Sequence, residues 1–91
     1  MIERKVTITN KLGLHLRAAA VLVQTASAFR SDIRIRRDDK NIEVDAKSIM
    51  GVLGLEGAIG TELVVKARGP DEEDALAIVV SLIESKFNEE E

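Results

Sequence analysis

The apolar residues of this chain change period several times, and that switching restricts the folds open to it. Lys5 to Thr9 alternate, with Val6 and Ile8 on one side and Lys5, Thr7 and Thr9 on the other, as in a half-buried strand. From Leu16 to about Phe29 the spacing becomes helical through Ala19, Leu22, Val23, Ala26 and Phe29. Ile33-Arg-Ile-Arg and Ile42-Glu-Val-Asp45 alternate again around the polar Asp38-Asp-Lys-Asn41, which predicts a β-hairpin. Ser48 then caps a short helix running to about Leu55, and Gly57 and Gly60 bracket a loop. Thr61 to Arg68 alternate with Leu63, Val65 and Ala67 facing inward, until Gly69-Pro70 stops the strand. Asp71 is expected to cap a last helix whose first turn, Glu72-Glu-Asp, is acidic, as the helix dipole favours. Its core stripe reads Ala75, Ile78, Val79, Leu82, Ile83 and Phe87, and residues 88–91 are expected to fray.

The order β-α-β-β-α-β-α over residues 1–91, with no linker or repeat, predicts one α/β domain of the α+β kind. Short connections and one-sided helices imply a four-stranded antiparallel sheet with its helices on one face. The other face, open to solvent, takes Lys5, Thr7, Arg34, Arg36, Glu43, Asp45, Glu62 and Lys66.

Composition narrows the function. There are two Phe, no Trp and no Tyr, which argues against stacking platforms for single-stranded nucleic acid. A net charge of −3 lacks the electrostatic footprint of a DNA or RNA binder. The Arg34-Ile-Arg-Arg37 run reads as the solvated face of a strand, where charge discourages edge pairing, and its field is diluted by Asp38, Asp39, Glu43 and Asp45. Without cysteine, disulfides, thiolate metal sites and cysteine nucleophiles are excluded. No apolar run approaches the ~20 residues that span a bilayer, and the charged start Met-Ile-Glu-Arg-Lys leads directly into a strand. A soluble cytoplasmic protein is expected, with no membrane insertion, metal or cofactor.

The residue that stands out is His15, the one histidine, where the first strand gives way to the first helix. Helices usually start on Ser, Thr, Asp or Asn, and losing that cap costs on the order of 1 kcal/mol. With His15 at the N-cap, the N–H groups of Leu16, Arg17 and Ala18 have no intrahelical partner. Together with the positive end of the helix they form an anion site, to which Arg17 adds a guanidinium suited to gripping phosphate oxygens. Gly13 supplies a permissive turn into the site. An imidazole beside such a nest suits phosphoryl transfer, which needs a nucleophile and donors to the equatorial oxygens. The spacing alone favours the plainer alternative, an ordinary polar residue in a connecting loop.

The strings "NKLGLHLRAAA", "VLVQTASAF", "KSIMGVLGL" and "GTELVVKARGPDEEDAL", in that order over essentially the whole chain, resemble the HPr family. These are histidine-containing phosphocarriers of the bacterial phosphoenolpyruvate-dependent phosphotransferase system. The resemblance implies an open-faced β-sandwich and a phosphoryl group taken from phosphorylated enzyme I onto Nδ1 of His15. Arg17 would bind the phosphate, and EIIA components of sugar permeases would receive it. It implies a relay intermediate more than a self-contained enzyme, with a monomer as the simplest state. It further implies regulation at Ser48 by the ATP-dependent HPr kinase/phosphorylase; the residue-level reading of Ser48 is a plain N-cap. Where the family motif usually reads His-Ala-Arg-Pro, this chain has His15-Leu16-Arg17-Ala18. Ala18 restores an N–H that proline lacks and gives up its fixed φ, and the hairpin before Ser48 is slightly longer than the commonest family version.

The short helix is apolar all round, so one sheet cannot bury every side of it. Val52 and Leu55 are assigned to the core, and Ile49, Met50 and Leu53 to partner contact beside Leu16, Ala20 and Gln24. Two other functions stay open. One is a regulatory relative of the nitrogen-related or catabolite-control branches; the other is a protein-binding module that is not phosphorylated. An acyl-carrier reading fails on the strands and on the missing Asp-Ser-Leu attachment pattern.

Overall fold

Residues 1–89 are described by the computed structural model of the chain. Strands β1 (Ile2–Thr7), β2 (Asp32–Arg37), β3 (Ile42–Asp45) and β4 (Glu62–Arg68) form one sheet in the order β1-β4-β2-β3. Every pairing is antiparallel, with Val6 opposite Leu63 and Ile35 opposite both Val65 and Val44. Helices α1 (Leu16–Ser27), α2 (Ile49–Gly54) and α3 (Glu72–Glu84) complete the expected order. The family's expected sheet and three helices are therefore present.

The core lies between sheet and helices and is almost wholly aliphatic. Val6, Ile33, Ile35, Leu63, Val65 and Ala67 meet Ala19, Leu22 and Ala26 of α1, Val52 of α2 and Val79 and Ile83 of α3. β4 is flanked on both sides, and three successive residues, Leu63, Val64 and Val65, are buried there. Val64 faces away from the helices but stands opposite Lys5 and Arg36 in the register. Long charged side chains of this kind cover an apolar neighbour with their stems while their heads stay in water.

Three sequence expectations need correction. β2 lies inside the sheet, so its arginines guard no edge. Arg34 pairs with Asp32, Arg36 with Asp38 and Glu3, and Arg37 with Asp39. Arg37 also donates to the Leu55 and Glu56 carbonyls at 2.8 and 3.0 Å, satisfying acceptors that the end of α2 leaves unpaired. On α3, Ile78 is half exposed, while Leu76 and Val80 are buried; the stripe is rotated toward β1 and β4, against which the helix packs. Phe87 is buried as expected, but it lies beyond α3 in a short turn, residues 86–88.

Asp71 occupies the N-cap position of α3 without making a side-chain cap bond. Its carboxylate instead accepts from the N–H groups of Arg30 and Ser31 and from the Ser31 hydroxyl, tying the end of the α1–β2 connection to the start of α3. These donors, the Ser31 hydroxyl foremost, hold the Asp71 carboxyl below its ordinary value of 3.8. A carboxyl with a lower folded pKa stabilises the fold above its unfolded pKa and loses that contribution as pH falls through the folded value. Asp71→Asn should therefore melt below the wild type at pH 7, and the gap in Tm should shrink as pH is lowered from about 4. A gap that stays constant down to pH 3 would contradict this account.

Candidate functional site

The turn from β1 into α1 builds the site. Asn10 accepts the Gly13 N–H through its carbonyl at 3.2 Å, and the Leu14 N–H donates to the Gly57 carbonyl at 2.8 Å. Gly13 has φ +63, and a Cβ there would stand 2.3 Å from the Gly57 oxygen. No other residue type fits both the left-handed backbone and the close approach. His15 follows as the N-cap of α1, with φ −71 and ψ 173, and its carbonyl accepts the first intrahelical bond from Ala19 at 2.9 Å. Its side chain makes no cap bond, so the imidazole is not spent on the helix.

The N–H groups of Leu16, Arg17 and Ala18 precede that first bond and lie at the positive end of a 12-residue helix. The two departures from the usual family motif differ in consequence. Leu16 projects outward, 65% exposed, and alters the surface beside His15, whereas Ala18 is buried at 1%. The proline substitution thus adds a backbone donor without changing the exposed face.

A carboxylate completes the site. Glu89 reaches back across the fold, and its Oε2 lies 2.5 Å from Nε2 of His15 and 3.1 Å from a guanidinium nitrogen of Arg17. Its Oε1 accepts from the Asn10 amide at 2.9 Å. Asn10 is fully buried and donates its other amide hydrogen to the Gly13 carbonyl at 2.9 Å. Both partners of that amide nitrogen are acceptors, which sets the amide's orientation; its Oδ1 accepts no hydrogen bond among the described residues. The Arg17 guanidinium first, then His15 and Asn10, hold the Glu89 carboxyl below its ordinary value of 4.5.

Of the tail expected to fray, Asn88 closes the turn at 86–88 and Glu89 sits at the site, while residues 90 and 91 lie outside the described residues. Lys86, Phe87 and Asn88 all have positive φ, between 56 and 63. Each such residue costs roughly 1–2 kcal/mol, and burial of Phe87 holds the turn in place. The sequence context singles out neither Asn10 nor Glu89: Asn10 simply follows the first alternating run, and Glu89 is one of three trailing acids.

Ser48 is the N-cap of α2, and its hydroxyl accepts from the Gly51 N–H at 3.1 Å. Around it, Met50 is 76% exposed, Ile49 and Leu53 are half-buried, and Val52 and Leu55 are fully buried. On α1, Ala20 is half-buried and Gln24 exposed. Leu12 and Ile59, on the two loops joined by the Leu14–Gly57 bond, are also exposed apolar residues; the sequence reading had passed over them. Among the described residues, no three His, Cys, Asp or Glu side chains gather to hold a metal, and no helix is long and apolar enough to cross a membrane.

The family profile described as "PTS HPr component phosphorylation site" matches residues 2–85. The chain belongs to the HPr family. It is 45% identical to the phosphocarrier protein HPr of Cupriavidus necator over 91 residues, all of both chains. It is also 39% identical to the phosphocarrier protein NPr of Escherichia coli over 89 residues, 98% of each. The crystal structure of HPr-C-His from Thermoanaerobacter tengcongensis superposes with a TM-score of 0.93 at 49% identity, covering all of both chains. The protein is an HPr-type phosphocarrier of the phosphotransferase system.

Because Gly13 carries both the positive φ and the contact with Gly57, Gly13→Ala should destabilise the fold by roughly 2 kcal/mol. In a domain of this size that lowers Tm by on the order of 10 °C, measurable by thermal melting followed by circular dichroism. An unchanged Tm would mean that the turn yields at little cost.

Proposed function

We propose that His15 accepts a phosphoryl group from phosphorylated enzyme I on Nδ1 and passes it to EIIA domains. The observation that carries this reading is an imidazole that stands at the N-cap of α1 without capping it, beside three unpaired helix N–H groups and Arg17. The Nδ1 lone pair attacks phosphorus in line while the bond to the donor breaks. The N–H groups of Leu16, Arg17 and Ala18 and the Arg17 guanidinium hold the equatorial oxygens. Nothing else is asked of the carrier, because both transfers use the partner's own machinery in the cytoplasm. Leu16, Ala20, Gln24, Ile49, Met50 and Leu53 form the docking face around His15, and a half-exposed apolar patch suits brief contact by a monomeric carrier with several partners.

After incubation with enzyme I and phosphoenolpyruvate, intact-mass spectrometry should show one added phosphate that is lost in acid and absent from His15→Ala. An unmodified wild-type chain would refute the carrier role and leave a protein-binding module.

Ser48 is proposed as the regulatory position, modified by the HPr kinase/phosphorylase. A dianion at this N-cap is tolerated by the helix, yet it places charge beside Ile49, Met50 and Leu53 and weakens docking of an acidic partner. Kinase and ATP should give an acid-stable phosphate that Ser48→Ala abolishes, and the phosphorylated protein should accept phosphate from enzyme I more slowly. Equal labelling of Ser48→Ala would move the site elsewhere.

The likeness to NPr supports a second reading, a regulatory carrier that signals without feeding sugar uptake. Comparing transfer from the phosphorylated protein to a sugar-specific and to a nitrogen-branch EIIA separates the two.

A further inference from the structure

We propose that Glu89 is a positioning residue for His15: its carboxylate accepts the Nε2–H, so that the neutral ring keeps its lone pair on Nδ1. This rests on the reading of His15 as the phosphoryl acceptor.

The argument begins with donors and acceptors. An ionised carboxylate has no hydrogen to give, so the 2.5 Å contact between Glu89 Oε2 and His15 Nε2 requires the ring nitrogen to be the donor. A neutral imidazole carries one N–H. With that hydrogen on Nε2, Nδ1 holds the free lone pair, and among the described residues Nδ1 has no hydrogen-bond partner. The ring is therefore held in the nucleophilic tautomer on the side where the phosphoryl group is to bind. The depressed carboxyl of Glu89 keeps it an acceptor throughout the neutral range.

The carboxylate is braced in turn. Asn10, fully buried, fixes Oε1, and Arg17 holds Oε2 at 3.1 Å. Phe87, buried two residues earlier, pins the left-handed turn that delivers Glu89. Asn10 and His15 flank the same Gly13 turn, so one local structure sets both the ring and the group that orients it.

During transfer the Nδ1 lone pair forms the N–P bond, and the donor's bond to phosphorus breaks with its electrons remaining on the donor. The ring then carries a positive charge with Nε2–H still in place, and the Glu89 carboxylate faces that charge. No proton leaves the ring in this step. When the phosphate arrives, Arg17 can turn from Glu89 to the phosphate oxygens, while Asn10 and His15 retain the carboxylate.

The test combines a spectroscopic and a kinetic readout on the full chain. Nitrogen-15 spectra of the His15 ring, recorded at a pH where the ring is neutral, report which nitrogen bears the hydrogen. Wild type should show Nε2–H. Glu89→Ala should gain the Nδ1–H form, and Glu89→Asp should restore part of the wild-type pattern. Phosphoryl uptake from phosphorylated enzyme I should fall about tenfold in kcat for Glu89→Ala, the scale of one charge-assisted hydrogen bond, with KM little changed and partial recovery in Glu89→Asp. A wild-type ring protonated at Nδ1, or a Glu89→Ala protein with unchanged ring and rate, overturns the proposal. Faster uptake by Glu89→Ala also overturns it, because the carboxylate would then be a competitor for Arg17. If wild type takes up no phosphate at all, the carrier reading fails on its own, and the ring spectra still decide whether Glu89 sets the tautomer.

Discussion

The bond from the Leu14 N–H to the Gly57 carbonyl is the contact on which the site depends. It brings the β1–α1 turn against the loop that precedes β4, and it is possible because Gly13 has no Cβ to collide with the Gly57 oxygen. Gly57 is also close-packed, since a Cβ there would meet the ends of the Ile8 and Leu14 side chains at 2.6 and 3.0 Å. Two facing glycines thus let backbone pack on backbone at the mouth of the core. Once the turn is seated, His15 caps the start of α1, the first N–H groups of the helix are left unpaired together, and the imidazole has no capping duty.

Much of the remaining structure uses polar groups to close connections instead of to fill the core. Arg37 satisfies carbonyls at the end of α2, Asp71 gathers three donors between the α1–β2 connection and α3, and Asn10 links the first turn to the C-terminal tail. Each is a group that repeating secondary structure leaves unpaired and that would be costly to bury unmatched. The core can then remain almost wholly aliphatic, and the sheet's far face can carry charge.

The strands, the helices and the placement of His15, Arg17 and Ser48 at helix starts were legible because they follow from local rules. Period-two and period-3.6 patterns, glycine at turns and serine as a cap each depend on neighbours in the chain. The failures are of one kind. Ile78 was assigned inward and is half exposed, because only packing on β1 and β4 sets the rotation of α3. Val64 alternates with the inward-facing Leu63 and Val65, and it is buried because register brings Lys5 and Arg36 opposite it. Asp71 has the residue type of a cap but bonds to a connection 40 residues away in sequence.

The amino-acid sequence by itself determined the elements, their order, the aliphatic inner faces and a histidine followed by an arginine at a helix start, since all of these are read within a few residues. Only the tertiary structure decided that Glu89, 74 residues from His15, would meet the imidazole, and that Asn10 would hold it there. The reason is physical: a contact between distant segments depends on the left-handed turn at 86–88 and the burial of Phe87. The spacing of the last helix marks Phe87 as buried, but the left-handed turn around it leaves no periodic trace in the chain.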